Sequence, residues 1–175
     1  MQQSSTMNRE PGVEFAALLE SHRRHVFKVA NAYARGAADV EDLAQEIAAQ
    51  LWRAFPAYDR ARVFSTWMYR IALNVAISWL RSEAPRWRLS VAYDAGLHEP
   101  AADEPVDDDE GLRILRGFIA SQDSLDRAVL LLYLEERPYA EMSEILGVSV
   151  TNLTTKINRL KDRLRNYAEK HHGTR

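Results

Sequence analysis

The sequence predicts an all-α protein: two small helical domains joined by an acidic linker, the C-terminal one containing a helix-turn-helix. Three observations predict it. Apolar residues recur at helical spacing on both sides of a proline-containing gap, and no segment alternates with a period of two. Charge is segregated: residues 94–110 hold eight acids and no Lys or Arg, 60–88 hold six Arg against Glu83 alone, and 150–170 hold six bases against Asp162 and Glu169. The stretch "ILGVSVTNLTTKINRLKDRL", residues 145–164, sets an amphipathic helix rich in Thr, Asn, Lys and Arg directly after a glycine turn.

The first domain, residues 13–83, follows a flexible N-terminus of residues 1–12. Its first predicted helix carries Phe15, Leu18, Leu19, His22, Val26, Val29 and Tyr33 on one stripe, with Gly36 placed to end it. In the next, Asp39 can cap the start, Val40, Leu43, Ile47 and Leu51 face inward, and Pro56 stops the helix. Its opposite face presents Asp42, Gln45, Glu46, Ala49 and Arg53. A third helix, over about 65–82, can be capped by Ser65 and turns Met68, Ile71, Ala72, Val75 and Trp79 inward. Trp67, Arg70, Asn74, Ser78 and Arg81 run along another stripe of the same helix.

Residues 84–110 contain Pro85, Pro100, Pro105 and the acidic cluster, and hold no period for long, so they read as a linker. The second domain, residues 111–170, opens with Leu112, Leu115 and Ile119 on a short helix and continues with the apolar run "AVLLLYL" in a helix over about 124–136. Pro138 can open the following helix, whose inner positions are Tyr139, Met142, Ile145 and Leu146. Gly147 falls where that helix must end, and Ser149 can cap the next. Leu153, Ile157, Leu160 and Leu164 then form a core face, and residues 171–175 remain as a tail.

Bulk properties remove several function classes. The chain of 175 residues is 46% hydrophobic and 27% charged, which is globular composition rather than disorder. It has no Cys, which excludes disulfides, zinc-thiolate sites and a Cys nucleophile. No apolar run approaches the roughly 20 residues that span a bilayer, and "MQQSSTMNREPG" lacks the apolar core of a signal peptide, so a soluble cytoplasmic protein without membrane insertion is expected. Net charge is −2, yet two basic segments flank an acidic one, and local field rather than net charge steers a polyanion.

Two surfaces carry chemistry. Outward on the last helix stand Thr151, Asn152, Thr154, Thr155, Asn158, Arg159 and Arg163, groups that suit base edges in a major groove and phosphates. A solvated helix hairpin has the same pattern. In the first domain, "FSTWMYRIALNVAISWLR" combines aromatic residues with Arg and Asn on one helix, preceded by Phe55, Tyr58 and Phe64. Aromatic faces interleaved with guanidinium groups suit unstacked bases on a single strand. Trp79 lies on the apolar stripe and reads as core, whereas Trp67 fits core and surface equally.

The blocks "DLAQEIAAQLWRAF", "FSTWMYRIALNVAISWLR" and "LDRAVLLLYLEERPYAEMSEILGVSVTNLTTKINRLKDRL" together resemble a bacterial RNA polymerase sigma factor of the extracytoplasmic-function class. The resemblance covers about 14–168, and three blocks in the right order are far more specific than any one. It implies no catalytic activity and no cofactor, with core RNA polymerase and promoter DNA as partners and an anti-sigma protein as a frequent further partner. Asp42, Gln45 and Glu46 match the polymerase-docking surface. Tyr58, Trp67 and Asn74 match the positions that hold and open the −10 element, with Arg70 and Arg81 near the backbone. Thr154, Thr155, Asn158 and Arg159 match positions that meet the −35 duplex. Thr154 replaces a usual basic residue, Asn152 a frequent Thr and Ser78 a frequent Asp, so the −35 preference does not transfer. The acidic linker reads equally as a nucleic-acid mimic near the RNA path and as a plain tether.

Two rival classes follow from the residues. A dimeric helix-turn-helix regulator without a polymerase-docking role would need no aromatic-Arg-Asn surface in its first domain. For an enzyme, His22 and His25 at i, i+3 can chelate a metal, but no carboxylate pattern completes a site and no nucleophile or phosphate-binding motif is present.

Overall fold

The computed structural model describes residues 11–91 and 110–171; residues 92–109, which hold most of the acidic cluster, lie outside them, as do the ends of the chain. The described residues form α1 (Pro11–Ser21), α2 (Arg23–Tyr33), α3 (Ala37–Ala54), a 3-10 turn (Phe55–Ala57), α4 (Phe64–Val91), α5 (Glu110–Ser121), α6 (Ser124–Leu134), α7 (Tyr139–Leu146) and α8 (Val150–His171). No strand occurs among them.

The first unit is α2, α3 and α4 packed pairwise, with α1 laid against α2. Val29, Tyr33, Leu43, Ile47, Leu51 and Met68 are almost fully buried at its centre. Each such side chain contributes about 1.5–3 kcal/mol by leaving water. The expected single first helix is instead two, broken at His22, whose backbone stands at φ −112°, ψ 8°. At the break Ser21 Oγ donates to Leu18 O at 2.8 Å and His22 Nδ1 lies 2.8 Å from the same oxygen, which also accepts from His22 N at 3.2 Å. Gly36 does not end α2, which stops at Tyr33. At φ 88° it is the N-cap of α3, and Asp39 sits in the first turn beside the positive end of the helix dipole.

Two further expectations change. Helix α4 passes through Pro85 to Val91, beyond the expected domain edge at 83, although proline removes a backbone hydrogen bond there. Its inner face also differs. Met68, Tyr69, Ala72, Leu73 and Ala76 are buried, whereas Ile71, Val75 and Trp79 are half-buried. Helix α4 packs against α2 and α3 and also against α6 and α7, so burial covers a wider arc than one stripe. Burial pushes the Tyr69 phenol pKa up to about 12.

In the second unit α8 packs against α5, α6 and α7. Ile114 and Phe118, rather than Leu112, Leu115 and Ile119, are the buried residues of α5. Asp123 Oδ1 caps α6 by accepting from Asp126 N at 2.8 Å. The Tyr167 hydroxyl of α8 comes within 2.9 Å of where a Cβ on Gly117 would stand, so a larger residue there would push the tip of Tyr167 aside.

The two units touch. Tyr33 Oη donates to Ser124 O at 2.7 Å, and Arg127 Nη1 donates to Ala32 O at 3.0 Å.

Candidate nucleic-acid interface

Gly147 holds the turn between α7 and α8 in the left-handed region, at φ 67° and ψ 26°, and its N–H donates to Ser143 O at 2.9 Å. Ser149 Oγ then accepts from Asn152 N at 3.3 Å, the expected cap. Leu153, Ile157 and Leu160 are 0–2% exposed, which fixes the rotation of α8 and leaves Asn152, Thr154, Thr155, Asn158 and Arg159 in solvent. The hydroxyls of Thr154 and Thr155 donate to Val150 O and Thr151 O, at 3.0 and 3.1 Å. Both oxygens can still accept.

Arg163 differs from those five. Its Nη1 donates to Asp126 Oδ2 at 2.9 Å, while Lys156 Nζ pairs with Oδ1 of the same carboxylate. Asp126 is 5% exposed, so two cations two turns apart on α8 close on one buried charge of α6. The pairing of Arg163 and Lys156 orients α8 on its support instead of leaving both charges for a phosphate.

On α4, Trp67 is half-buried, and Arg70, Asn74 and Arg81 are exposed along the same side. Phe55, Tyr58 and Phe64 support Trp67 from below; its ring lies 4.8 Å from that of Tyr58 and 5.4 Å from that of Phe64. Tyr58 itself is 8% exposed and offers no face to a base. Its hydroxyl donates to Arg62 O at 2.6 Å, and burial raises its pKa. The hydrogen bond and the ring stacking make it a brace for the loop before α4 and for Trp67, which corrects its expected place among surface residues. Ser65 is buried and accepts from Arg137 Nη1 at 3.3 Å, so it does not cap α4.

On α3, Asp42 and Gln45 are exposed and Glu46 is half-exposed, accepting from Gln50 Nε2 at 3.1 Å with Arg53 at 3.7 Å. Sequence reasoning missed Trp52. It lies seven residues beyond Gln45 on the same side, is 49% exposed, and has its ring centroid 5.1 Å from that of Phe15 in a tilted pair. The signal was its place off the Leu43, Ile47, Leu51 stripe.

His22 and His25 lie with ring centroids 5.8 Å apart. Among the described residues no group of three or more His, Asp or Glu side chains is placed to hold a metal, and no helix is long and apolar enough to cross a membrane.

A helix-turn-helix with a free polar face and a separate helix carrying Trp, Arg and Asn define a two-part DNA-binding protein. Comparison with known proteins agrees: the pattern of sigma-70 region 2 matches residues 18–86, and that of sigma-70 region 4 matches 123–164. The chain belongs to the sigma-70 family, in its extracytoplasmic-function class. It is 27% identical over 162 residues to the ECF RNA polymerase sigma factor SigW of Bacillus subtilis, covering 86% of this chain and 87% of the relative. It is 29% identical over 156 residues to the ECF RNA polymerase sigma factor SigK of Mycobacterium sp. (strain JLS), covering 86% and 79%. The fold is shared with the sigma factor RpoE solved with the anti-sigma factor NepR from Bartonella quintana, at TM-score 0.70, 18% identity and coverage of 89% and 97%. It is also shared with CnrH solved with the cytosolic domain of CnrY, at TM-score 0.63, 20% identity and coverage of 89% and 88%.

Proposed function

We infer that this chain is an initiation factor that binds core RNA polymerase through Asp42, Gln45, Glu46 and Trp52, holds the opened −10 strand on the Trp67, Arg70, Asn74, Arg81 side of α4, and reads the −35 duplex with α8. It works in the cytoplasm, catalyses no reaction itself and takes an anti-sigma protein as a further partner. The observation that carries the reading is the set of three outward faces, each opposite an intact buried stripe. Contacts with a large partner account for a Trp left half in water and for polar residues that serve no interior purpose. On α8, Asn152, Thr154, Thr155, Asn158 and Arg159 form the duplex face, and Arg163 orients it. A dimeric regulator leaves the α3 and α4 faces without a task.

The test is to add purified chain to core polymerase on a genomic fragment library and to map transcript 5′ ends. New start sites sharing a two-part upstream sequence are expected. A core that binds the chain yet gains no start sites would refute the initiation role.

A further inference from the structure

The solvent face of α8 is chemically uneven. Thr151, Thr155 and Asn158 are exposed and recur at i, i+4, i+7, the spacing of the buried Leu153, Ile157 and Leu160 moved by two residues, which is roughly 200° round the helix. They form a line opposite the core stripe, with Asn152, Thr154 and Arg159 on its flanks. Most cations of α8 are engaged by the protein itself. Lys156 and Arg163 close on Asp126, Lys161 lies over the Tyr133 ring at 4.7 Å, and Arg165 donates to Asp162 at 3.0 Å. Among the described residues, Arg159 is the one cation between 150 and 165 without a protein partner, and it stands off the line.

We propose that Asn158 is a specificity-determining residue of this surface and selects an adenine in the −35 duplex. Its side chain is exposed and makes no hydrogen bond among the described residues, so its amide offers a donor and an acceptor side by side. Adenine is the base whose major-groove edge carries an acceptor, N7, next to a donor, the N6 amine, and one amide meets both at once. Guanine shows two acceptors there, N7 and O6, and would leave the amide oxygen facing an acceptor. Cytosine and thymine offer the amide one bond each.

The neighbours of Asn158 favour the same base class. The Thr155 hydroxyl gives its single proton to Thr151 O, so toward DNA it is an acceptor only. One turn before Asn158 it can take a proton from an exocyclic amine, that of adenine or cytosine, and has none to give to guanine N7 or O6. The Thr154 hydroxyl is committed to Val150 O in the same way. A guanine reader needs two donors together, and the guanidinium of Arg159, which has them, lies off the line. Asp162 follows Asn158 on the line, and its carboxylate keeps phosphate away from the fourth turn. With so few free cations to hold the backbone, discrimination on α8 falls to its neutral groups, and Asn158 is the amide on the central line.

The proposal rests on the reading of α8 as the −35 face, and the experiment separates the two. The full chain bound to core polymerase transcribes a promoter library randomised across the −35 segment, and the selected templates are sequenced. Wild type should enrich adenine at one position. Asn158→Ala should lower that enrichment about tenfold and leave the other positions near wild type. Asn158→Gln keeps the amide and should keep the adenine, while Asn158→Arg should move the preference at the same position to guanine. A second measurement removes the partner atom: 7-deazaadenine at that position lacks the N7 acceptor. It should reduce transcription about tenfold with wild type and leave Asn158→Ala unchanged. Asn158 is exposed, so every variant should keep its helical spectrum and compete for core polymerase as wild type does. A wild type that selects −35 sequence but keeps the same adenine in Asn158→Ala overturns the proposal and leaves the initiation reading standing. So does an equal loss at every position, or an equal 7-deazaadenine effect in the two chains. A wild type that initiates without any −35 preference removes the reading of α8 and the proposal together.

Discussion

Asp126 Oδ2 lies 2.9 Å from Arg163 Nη1, with Lys156 on its other oxygen, so one buried carboxylate of α6 ties down two cations of α8 beside its apolar stripe. Removing it leaves two cations without their partner on the core side of α8. Asp126→Ala should destabilise the second unit by about 1–3 kcal/mol, the usual loss for a buried charge-assisted hydrogen bond. Arg163→Ala should cost less than about 1 kcal/mol, because that side chain is 53% exposed. Urea denaturation of the full chain measures both. A loss for Arg163→Ala as large as that for Asp126→Ala would contradict the unequal roles.

The docking face predicts a binding defect without a folding defect. Asp42→Arg combined with Gln45→Ala should weaken association with core polymerase, since both side chains are exposed and opposite the buried Val40, Leu43, Ile47 stripe. Trp52→Ala should do the same, by about 1–2 kcal/mol if Trp52 is a contact anchor. Competition against labelled wild-type chain for core polymerase is the measurement; mutants that compete as well as wild type would remove α3 from the interface.

Strand opening should depend on Trp67 and Asn74 and much less on the Tyr58 hydroxyl. Trp67→Ala and Asn74→Ala should lower permanganate reactivity of promoter thymines while polymerase binding persists. Tyr58→Phe keeps the ring that supports Trp67 and loses only the bond to Arg62 O, at about 1 kcal/mol of stability. A strand-opening defect in Tyr58→Phe equal to that of Trp67→Ala would show that Tyr58 works on DNA directly.

The helix-turn-helix was legible because its signals are local: Gly147 at a helix end, Ser149 three residues before a paired N–H, and Leu153, Ile157 and Leu160 at core spacing all act within a few residues. The division of the first helix at His22 was not, because the apolar stripe continues across the break and the side-chain contacts of Ser21 and His22 to Leu18 O leave no mark in the periodicity. The rotation of α4 was misread for a longer-range reason. Tyr69 and Leu73 are buried because α4 has neighbours on two sides, α3 on one and α7 on the other, and the stripe rule assumes one. Likewise Tyr58 and Arg163 carry the residue types of a binding surface, and only tertiary contacts to Arg62 O and Asp126 reassign them.

His25 sits on the seam between the units, half-buried, facing Glu135, Lys28, Arg137, His22 and Tyr69. Burial lowers its pKa below the ordinary histidine value, outweighing the opposite pull of Glu135 at 3.8 Å. Well above about pH 6.5, toward pH 8, the imidazole is neutral whether the chain is folded or unfolded and contributes no pH dependence. As pH falls through that value the unfolded chain takes the proton first, so stability falls with pH until the folded-state pKa is passed. His25→Gln should flatten this part of the curve. Urea midpoints at stepped pH between about 8 and 5 test it, and a slope of unchanged size in His25→Gln assigns the effect to other groups.

The final prediction separates contact from support on α8. Leu153→Ala and Ile157→Ala remove side chains that are 0% and 2% exposed, and each should destabilise the second unit by about 2–5 kcal/mol. Arg159→Ala removes an exposed guanidinium and should leave the fold intact. Its effect should fall on duplex DNA. If Arg159 meets only phosphate, affinity drops about equally on matched and scrambled −35 duplexes, and the slope of log K against log salt becomes shallower by about one. If it reads a guanine, about 1–3 kcal/mol of discrimination is lost at one base pair. Phosphate contact is the expected outcome, because Thr154 and Thr155 stand nearer the N-terminus of α8, the end from which a recognition helix reaches base edges. The measurement is a salt titration of the full chain, with and without Arg159→Ala, on both duplexes. Unchanged affinity on both, with an intact helical spectrum, would take Arg159 out of the interface and require a different face of α8 to meet the groove.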